Sequence, residues 1–243
     1  MSERSQPTIF WLFAAIALPL AGLITKFTLI DREKMPRNGP IIISPNHFTN
    51  IDPVIVGVGV WYLGRAPRFM AKASIMRIPV LGWLLRVSGQ IPVERGGANR
   101  SSAALKAARE LVSKGRSVIV YPEGSLTRDP DMWPMRGKSG AVRLALELDI
   151  PIIPIAHWGT QDIMARYSKK ISLFPRKHVF IKVGDPVDLS KYRGRELTSK
   201  HLAEATVLVM DAITGLVEDL RNEKAPAVRW NPADHNQSET GKF

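Results

Sequence analysis

The residues best suited to chemistry in this 243-residue chain lie in one short stretch, Asn46-His47-Phe48-Thr49-Asn50-Ile51-Asp52. Histidine is the side chain whose ordinary titration lies nearest neutral pH, so it can take up and release a proton in one cycle. Asp52 follows five positions later. If the turn folds back, its carboxylate holds one imidazole nitrogen and leaves the other to accept a proton from a substrate. A plainer reading of the same residues also stands: Asp before Pro is a common helix N-cap, and a turn histidine can satisfy local backbone groups. No nucleophile stands beside the pair. The chain has no cysteine, which excludes a thiol nucleophile, disulfides and thiolate metal sites. It also has no G-x-S-x-G elbow, which argues against a lipid serine hydrolase.

Two apolar runs must position the turn. Pro40-Ile41-Ile42-Ile43-Ser44-Pro45 reads as a short buried strand, and Pro53 to Leu63 as a helix opened by proline at its first position. Some seventy residues on, Ser117 to Tyr121 reads as another strand, closed by Pro122-Glu123-Gly124-Ser125. Strand ends in α/β sheets gather ligand groups, so Glu123 and His47 are expected to face one crevice. Gly137-Lys138-Ser139 is not a phosphate-cradling P-loop, because Met132 stands where its first glycine is needed. It reads as the start of a helix running to Asp149, capped by Ser139. His157, at the end of the apolar run Pro151–Ala156, reads as a hydrogen-bonded strand-end residue.

Together, N-H-x-x-x-x-D and an apolar strand ending in P-E-G-S resemble the glycerolipid acyltransferases, the lysophosphatidic acid acyltransferases among them most of all. The resemblance covers about Pro40 to Gly159. It implies acyl transfer from acyl-CoA or acyl carrier protein to a hydroxyl of a phosphate-bearing lysolipid, with His47 as general base and Asp52 orienting it. It also implies that Arg95, in Val93-Glu94-Arg95, contacts the acceptor's phosphate. Glu123, Gly124 and Ser125 would border the acceptor, with Arg128 or Lys138 adding charge. The family's arginine usually follows E-G-S directly, whereas here Leu126 and Thr127 intervene before Arg128. No metal and no bound cofactor are implied.

The remaining features concern surfaces and boundaries. The net charge is +12, and from Gly64 to Arg116 eleven Lys or Arg stand against two acids. Such a surface suits a polyanion: anionic lipid, CoA phosphates or nucleic acid. A nucleic-acid-binding module would explain the charge but neither the paired motifs nor the apolar N-terminus, so no nucleic-acid partner is expected. Pro7 to Thr25 carries no charge, and nineteen residues at helical rise cover about 28 Å, one hydrocarbon core. Pro19 and Gly22 interrupt it, so a single span and a kinked helix pair in one leaflet are both open. Membrane association at the cytoplasmic face is the expectation.

Three parts follow: residues 1–35 as membrane-associating segment and connector, 36–222 as the acyltransferase domain, and 223–243 as a mobile tail. Strands alternating with helices predict an α/β domain, a mixed, largely parallel sheet flanked by helices. Expected strands include 68–72, 90–95, 171–174 and 179–183, and expected helices 101–114 and 198–221.

Overall fold

The computed structural model describes residues 9–79, 81–93 and 98–238. Its strands in chain order are β1 (Thr25–Ile30), β2 (Ile41–Pro45), β3 (Met70–Lys72), β4 (Ile91–Val93), β5 (Ser117–Ile119), β6 (Ile152–Trp158) and β7 (Lys177–Val183). Five of them form one sheet in the order β1-β7-β6-β2-β5, while β3 and β4 pair separately. Within the large sheet β1–β7, β6–β2 and β2–β5 run parallel, and β6–β7 antiparallel. The sheet is thus mixed and largely parallel.

The helices are α1 (Ile9–Ile24), α2 (Asp52–Tyr62), α3 (Leu81–Val87), α4 (Ala98–Ser113), α5 (Gly140–Leu148) and α6 (Ser199–Arg221). They cover both faces of the sheet, which explains why β2 is an unbroken apolar run rather than an alternation. Successive strand side chains point to opposite faces. Ile42 accordingly packs with Leu144, Leu202 and Val209 of α5 and α6. Ile41 and Ile43 pack with Ile55, Val56 and Val60 of α2. All three isoleucines are at most 2% exposed. At about 1.5–3 kcal/mol for each fully buried side chain, they anchor the strand whose end carries His47.

Four features differ from the sequence reading. Residues 25–30 belong to the domain rather than to an N-terminal appendage, because β1 is the outer strand beside β7. The alternation was present in Thr25-Lys26-Phe27-Thr28-Leu29, and a lysine on an edge strand discourages further pairing. The expected strand at 171–174 is absent, and Phe174 is 75% exposed. Strand β7 is already paired on both sides, by β1 and β6, so it has no edge left to offer. The 9–24 segment, for which a single span and a kinked pair were both open, is one helix with Pro19 inside it. Finally, part of the expected tail folds back. Trp230 O accepts a hydrogen bond from Arg136 N at 2.8 Å, and Arg229 pairs with Asp211 of α6 at 2.7 Å.

Helix α1 lies on α2, with Phe10 and Ala14 packed around Trp61 and Ala66. Its other side exposes Leu12, Ile16, Leu20 and Leu23, each 57–64%. Among the described residues, no helix is long and apolar enough to cross a membrane.

Candidate active site

Three parallel strands, β5, β2 and β6, end at one edge of the sheet, and the chain leaving each end contributes to the same cluster. After β2 comes the Asn46–Asp52 turn, after β5 the Pro122–Ser125 loop. His157 is the last residue but one of β6. Parallel neighbours must bring their C-terminal ends together, and this is how residues over a hundred positions apart meet.

His47 Nδ1 lies 3.0 Å from Asp52 Oδ2. The same oxygen accepts from Phe48 N at 2.6 Å and Thr49 N at 2.8 Å, and Oδ1 accepts from the Thr49 hydroxyl at 2.7 Å. Asp52 sits in the first turn of α2, where a negative charge is favoured by the helix dipole. Burial of Asp52 opposes its ionisation. His157, the hydrogen bond from His47 and the Thr49 amide outweigh that burial and hold the carboxyl below the ordinary carboxylate range. An ionised carboxylate only accepts hydrogen bonds, so Nδ1 carries the proton of a neutral His47. The lone pair is then on Nε2, which takes no hydrogen bond among the described residues. The imidazole is 15% exposed.

Further contacts fix the ring and its backbone. His47 N donates to Glu123 Oε1 at 2.9 Å, and His47 O accepts from Thr127 N at 2.8 Å. The loop after β5 therefore holds the histidine by both sides of its peptide. Glu123 Oε2 accepts from Met135 N at 3.0 Å. The sequence reading gave Glu123 to the acceptor. In the fold it is fully buried, and both its oxygens are occupied by backbone N–H groups. It braces the Asn46–Asp52 turn through His47 N. Gly124 makes the turn possible at a φ of +70°, a region disfavoured for residues with a Cβ. The Tyr121 ring stacks on His47 with centroids 4.1 Å apart, and Phe69 lies parallel behind Tyr121 at 6.1 Å.

Two residues overlooked as site components complete the support. Asn46 exchanges hydrogen bonds with the His157 peptide: Nδ2 donates to His157 O at 3.1 Å, and Oδ1 accepts from His157 N at 2.9 Å. His157 Nε2 lies 3.0 Å from Asn46 O. A carbonyl only accepts, so this nitrogen is protonated and Nδ1 accepts from the Thr160 hydroxyl at 3.3 Å. Burial pushes the His157 pKa down, so it stands as a neutral donor whose Nε2 is also 3.5 Å from Asp52 Oδ2. The expectation of a hydrogen-bonded strand-end residue describes it correctly, but its nearness to Asp52 depends on strand order. An asparagine at the end of an apolar strand was the one signal available for the clamp.

The other site residues from the sequence are dispersed. Lys138 N donates to Pro122 O at 2.7 Å, and the Lys138 side chain runs beside Gly124, so Lys138 borders the cluster. Ser125 lies in the same loop and is partly exposed. Arg128 turns inward: it is 2% exposed, donates to the Tyr167 hydroxyl at 3.2 Å and lies over that ring. The two extra residues, Leu126 and Thr127, carry it into this packed loop. Arg95 lies outside the described residues. Among the described residues, no three His, Asp or Glu side chains converge as a metal site requires.

Against known proteins, the family profile described as Acyltransferase matches residues 26–158, more than half the chain. The chain belongs to the acyltransferase family. It is 29% identical to the 1-acyl-sn-glycerol-3-phosphate acyltransferase of Borreliella burgdorferi over 76% of this chain and 71% of that one. It is 37% identical to the chloroplastic 1-acyl-sn-glycerol-3-phosphate acyltransferase BAT2 of Brassica napus, over 57% of this chain but 39% of the plant protein. The chain thus spans well under half of that longer relative. Among solved structures, the PlsC 1-acyl-sn-glycerophosphate (LPA) acyltransferase from Thermotoga maritima matches with a TM-score of 0.61. At 19% identity, over 91% of this chain and 86% of that one, it shares the fold. The likeness throughout is to PlsC-like glycerolipid acyltransferases.

Proposed function

We propose that this chain transfers a fatty acyl group from an acyl thioester, acyl-CoA or acyl-ACP, to the free hydroxyl of a 1-acylglycerol 3-phosphate, a step of phospholipid synthesis. The observation that carries the reading is the 3.0 Å contact of His47 Nδ1 with the buried Asp52, which leaves Nε2 as the base. Nε2 takes the proton of the acceptor hydroxyl as its oxygen attacks the thioester carbonyl carbon. The tetrahedral intermediate collapses, the carbon–sulfur bond breaks, and the imidazolium returns its proton to the departing thiolate. Asp52 stabilises the imidazolium in between. A thiolate is already a good leaving group, so no covalent acyl-enzyme is needed and the absence of cysteine is no obstacle. General-base assistance contributes about 10²–10⁴-fold, and holding both substrates in register contributes about 7–11 kcal/mol at most. Arg95 supplies charge for the acceptor's phosphate.

A panel of acceptors with radiolabelled acyl-CoA in liposomes tests the reading. The expected product is diacylglycerol 3-phosphate, formed with at least tenfold higher kcat/KM from lysophosphatidic acid than from glycerol 3-phosphate or lysophosphatidylcholine. Donor hydrolysis without any acylated acceptor would instead make the protein a thioesterase.

The same reading places the protein on the cytoplasmic face of a membrane, held by α1. Leu12, Ile16, Leu20 and Leu23 recur at helical spacing on its exposed side, while Phe10 and Ala14 on the other side bury against α2. Such a helix lies in the interface with its apolar side toward the acyl chains. Replacing Leu12, Ile16 and Leu20 together by serine should reduce co-flotation with anionic vesicles by about tenfold or more, given about 1.5–3 kcal/mol for each large apolar side chain withdrawn from water. Unchanged flotation would place the membrane contact elsewhere.

A further inference from the structure

The segment 166–177, which leads into β7, holds three large apolar side chains in water: Ile171 is 51% exposed, Leu173 42% and Phe174 75%. Their neighbours in sequence are cations. Arg166, Lys169, Lys170, Arg176 and Lys177 stand between Ile163 and His178 with no acid among them. Among the described residues, Lys169, Lys170 and Lys177 pair with no carboxylate. The segment is tied down on both sides. Arg166 Nη1 donates to Thr127 O at 3.1 Å and also to Asp129 O, Ser172 N donates to Ile163 O at 2.7 Å, and Arg176 Nε donates to Thr25 O at 2.9 Å. Apolar groups that a fixed segment keeps out of the core mark an interaction surface. Its place in the fold is specific. Strand β7 runs antiparallel to β6, with Phe180 opposite Trp158, so β7 begins where β6 ends. Strand β1 is parallel to β7 and pairs Thr25 with Lys177. The last turn of α1, where Leu23 is 64% exposed, the segment 166–177 and the Asn46–Asp52 turn therefore share one end of the sheet.

We infer that the segment 166–177 is a second membrane contact, with Ile171, Leu173 and Phe174 entering the headgroup boundary of an anionic bilayer and Lys169, Lys170 and Lys177 lying among its phosphates. The inference rests on the reading of α1 as an interfacial helix and goes beyond it. A helix alone leaves the domain free to roll about that helix. A contact on a separate segment fixes which end of the sheet faces the lipid, and it is the end that carries His47. Charge and apolarity together select the occupant. A nucleic acid would use the cations and leave the three apolar side chains in water. A bilayer surface takes both at once: its anionic headgroups attract the lysines, and the boundary with the acyl chains receives the apolar groups. The exposed leucines of α1 continue the same surface through the contact of Arg176 with Thr25.

The chain has no cysteine, so a single introduced thiol can carry an environment-sensitive nitrobenzoxadiazole label. Phe174→Cys tests the segment and Ile16→Cys tests α1. Ser113→Cys is the reference, exposed at the end of α4 just before β5 begins, and so at the opposite end of the sheet. Each full-length protein is diluted from detergent into vesicles of phosphatidylcholine, alone or mixed with phosphatidylglycerol. Labels at 174 and 16 should shift to the blue and be quenched by doxyl-labelled lipid, and the label at 113 should do neither. Unlabelled Lys169→Gln/Lys170→Gln should partition about 25-fold more weakly into the anionic vesicles, about fivefold for each basic residue at such a surface, with partition into pure phosphatidylcholine unchanged. Phe174→Ser should weaken partition into both by about tenfold or more. These side chains are exposed, so the thermal midpoint should not move. A label at 174 that stays in water while the one at 16 enters lipid overturns the inference and leaves the reading of α1 standing. Entry at 174 without entry at 16 keeps this contact and removes α1 as an anchor. Equal entry at 174 and 113, or lysine variants that bind anionic vesicles as tightly as the wild type, would also overturn it.

Discussion

Replacing His47 by alanine is expected to lower kcat/KM for acyl transfer by about 10²–10⁴-fold, the span of general-base contributions, while the protein still folds. The two effects separate because of what the substitution leaves behind. Asp52 keeps three donors, Phe48 N, Thr49 N and the Thr49 hydroxyl, so no buried carboxylate oxygen is orphaned. What is lost is one hydrogen bond, net about 0.5–1.5 kcal/mol, and the stack on Tyr121, worth a similar amount. The backbone contacts to Glu123 and Thr127 do not involve the imidazole. Unfolding curves and initial rates on the same preparation read both quantities. A variant that folds like the wild type and retains more than about a tenth of its turnover would remove the imidazole from the chemistry. Asp52→Asn is the informative companion. It preserves the shape and an acceptor for the two amides but removes the charge that stabilises the imidazolium, so its rate loss isolates that electrostatic contribution.

How far the sequence could be read depends on the range of the interactions involved. His47 and Asp52 are five residues apart, and the turn that unites them is bounded by a strand and a helix with strong local signatures. Their meeting was therefore predictable. The sheet was legible for the same reason: Ile41–Ile43 and Ile152–Ala156 are unbroken apolar runs that only burial on both faces explains. Strand β1 was missed because Thr25 closes the uncharged N-terminal run, and composition overrode a visible alternation. The role of Glu123 was misassigned because its partners, His47 N and Met135 N, are backbone groups that leave no trace in residue type. His157 poses the hardest case. Its 3.5 Å approach to Asp52 follows from β6 lying beside β2, and strand order is a non-local fact. The cavity between α5 and α6 is similar, lined by a loop, a helix face and a segment expected to be mobile.

Glu123 yields the second large effect, and it acts through stability as well as rate. Both its oxygens accept from buried backbone N–H groups, so Glu123→Ala leaves two donors without partners. At about 1–3 kcal/mol for each such group, the unfolding free energy should fall by about 2–6 kcal/mol. Turnover should drop with it, because the His47 peptide loses one of its two fixings. The pH dependence supplies an independent check. Burial pushes the Glu123 carboxyl up to about 8, against the opposing pull of the Met135 and His47 amides. A glutamate in the unfolded chain titrates near 4.5, so between these values the folded protein binds the proton more tightly. The stability this group contributes is complete below about pH 4.5 and is lost as pH rises through about 8. Asp52 has the opposite sign. Its pKa is depressed from 3.8, so its contribution is present above that value and disappears on acidification. The wild-type thermal midpoint should therefore decline from about pH 5 to pH 8.5. Glu123→Gln cannot ionise and restores only one of the two acceptors, so it should start lower yet show a flatter profile over the same interval. Parallel profiles for the two proteins would mean that the carboxyl does not titrate in that window, and its burial would then have to be offset by stronger hydrogen bonds than the two amides supply.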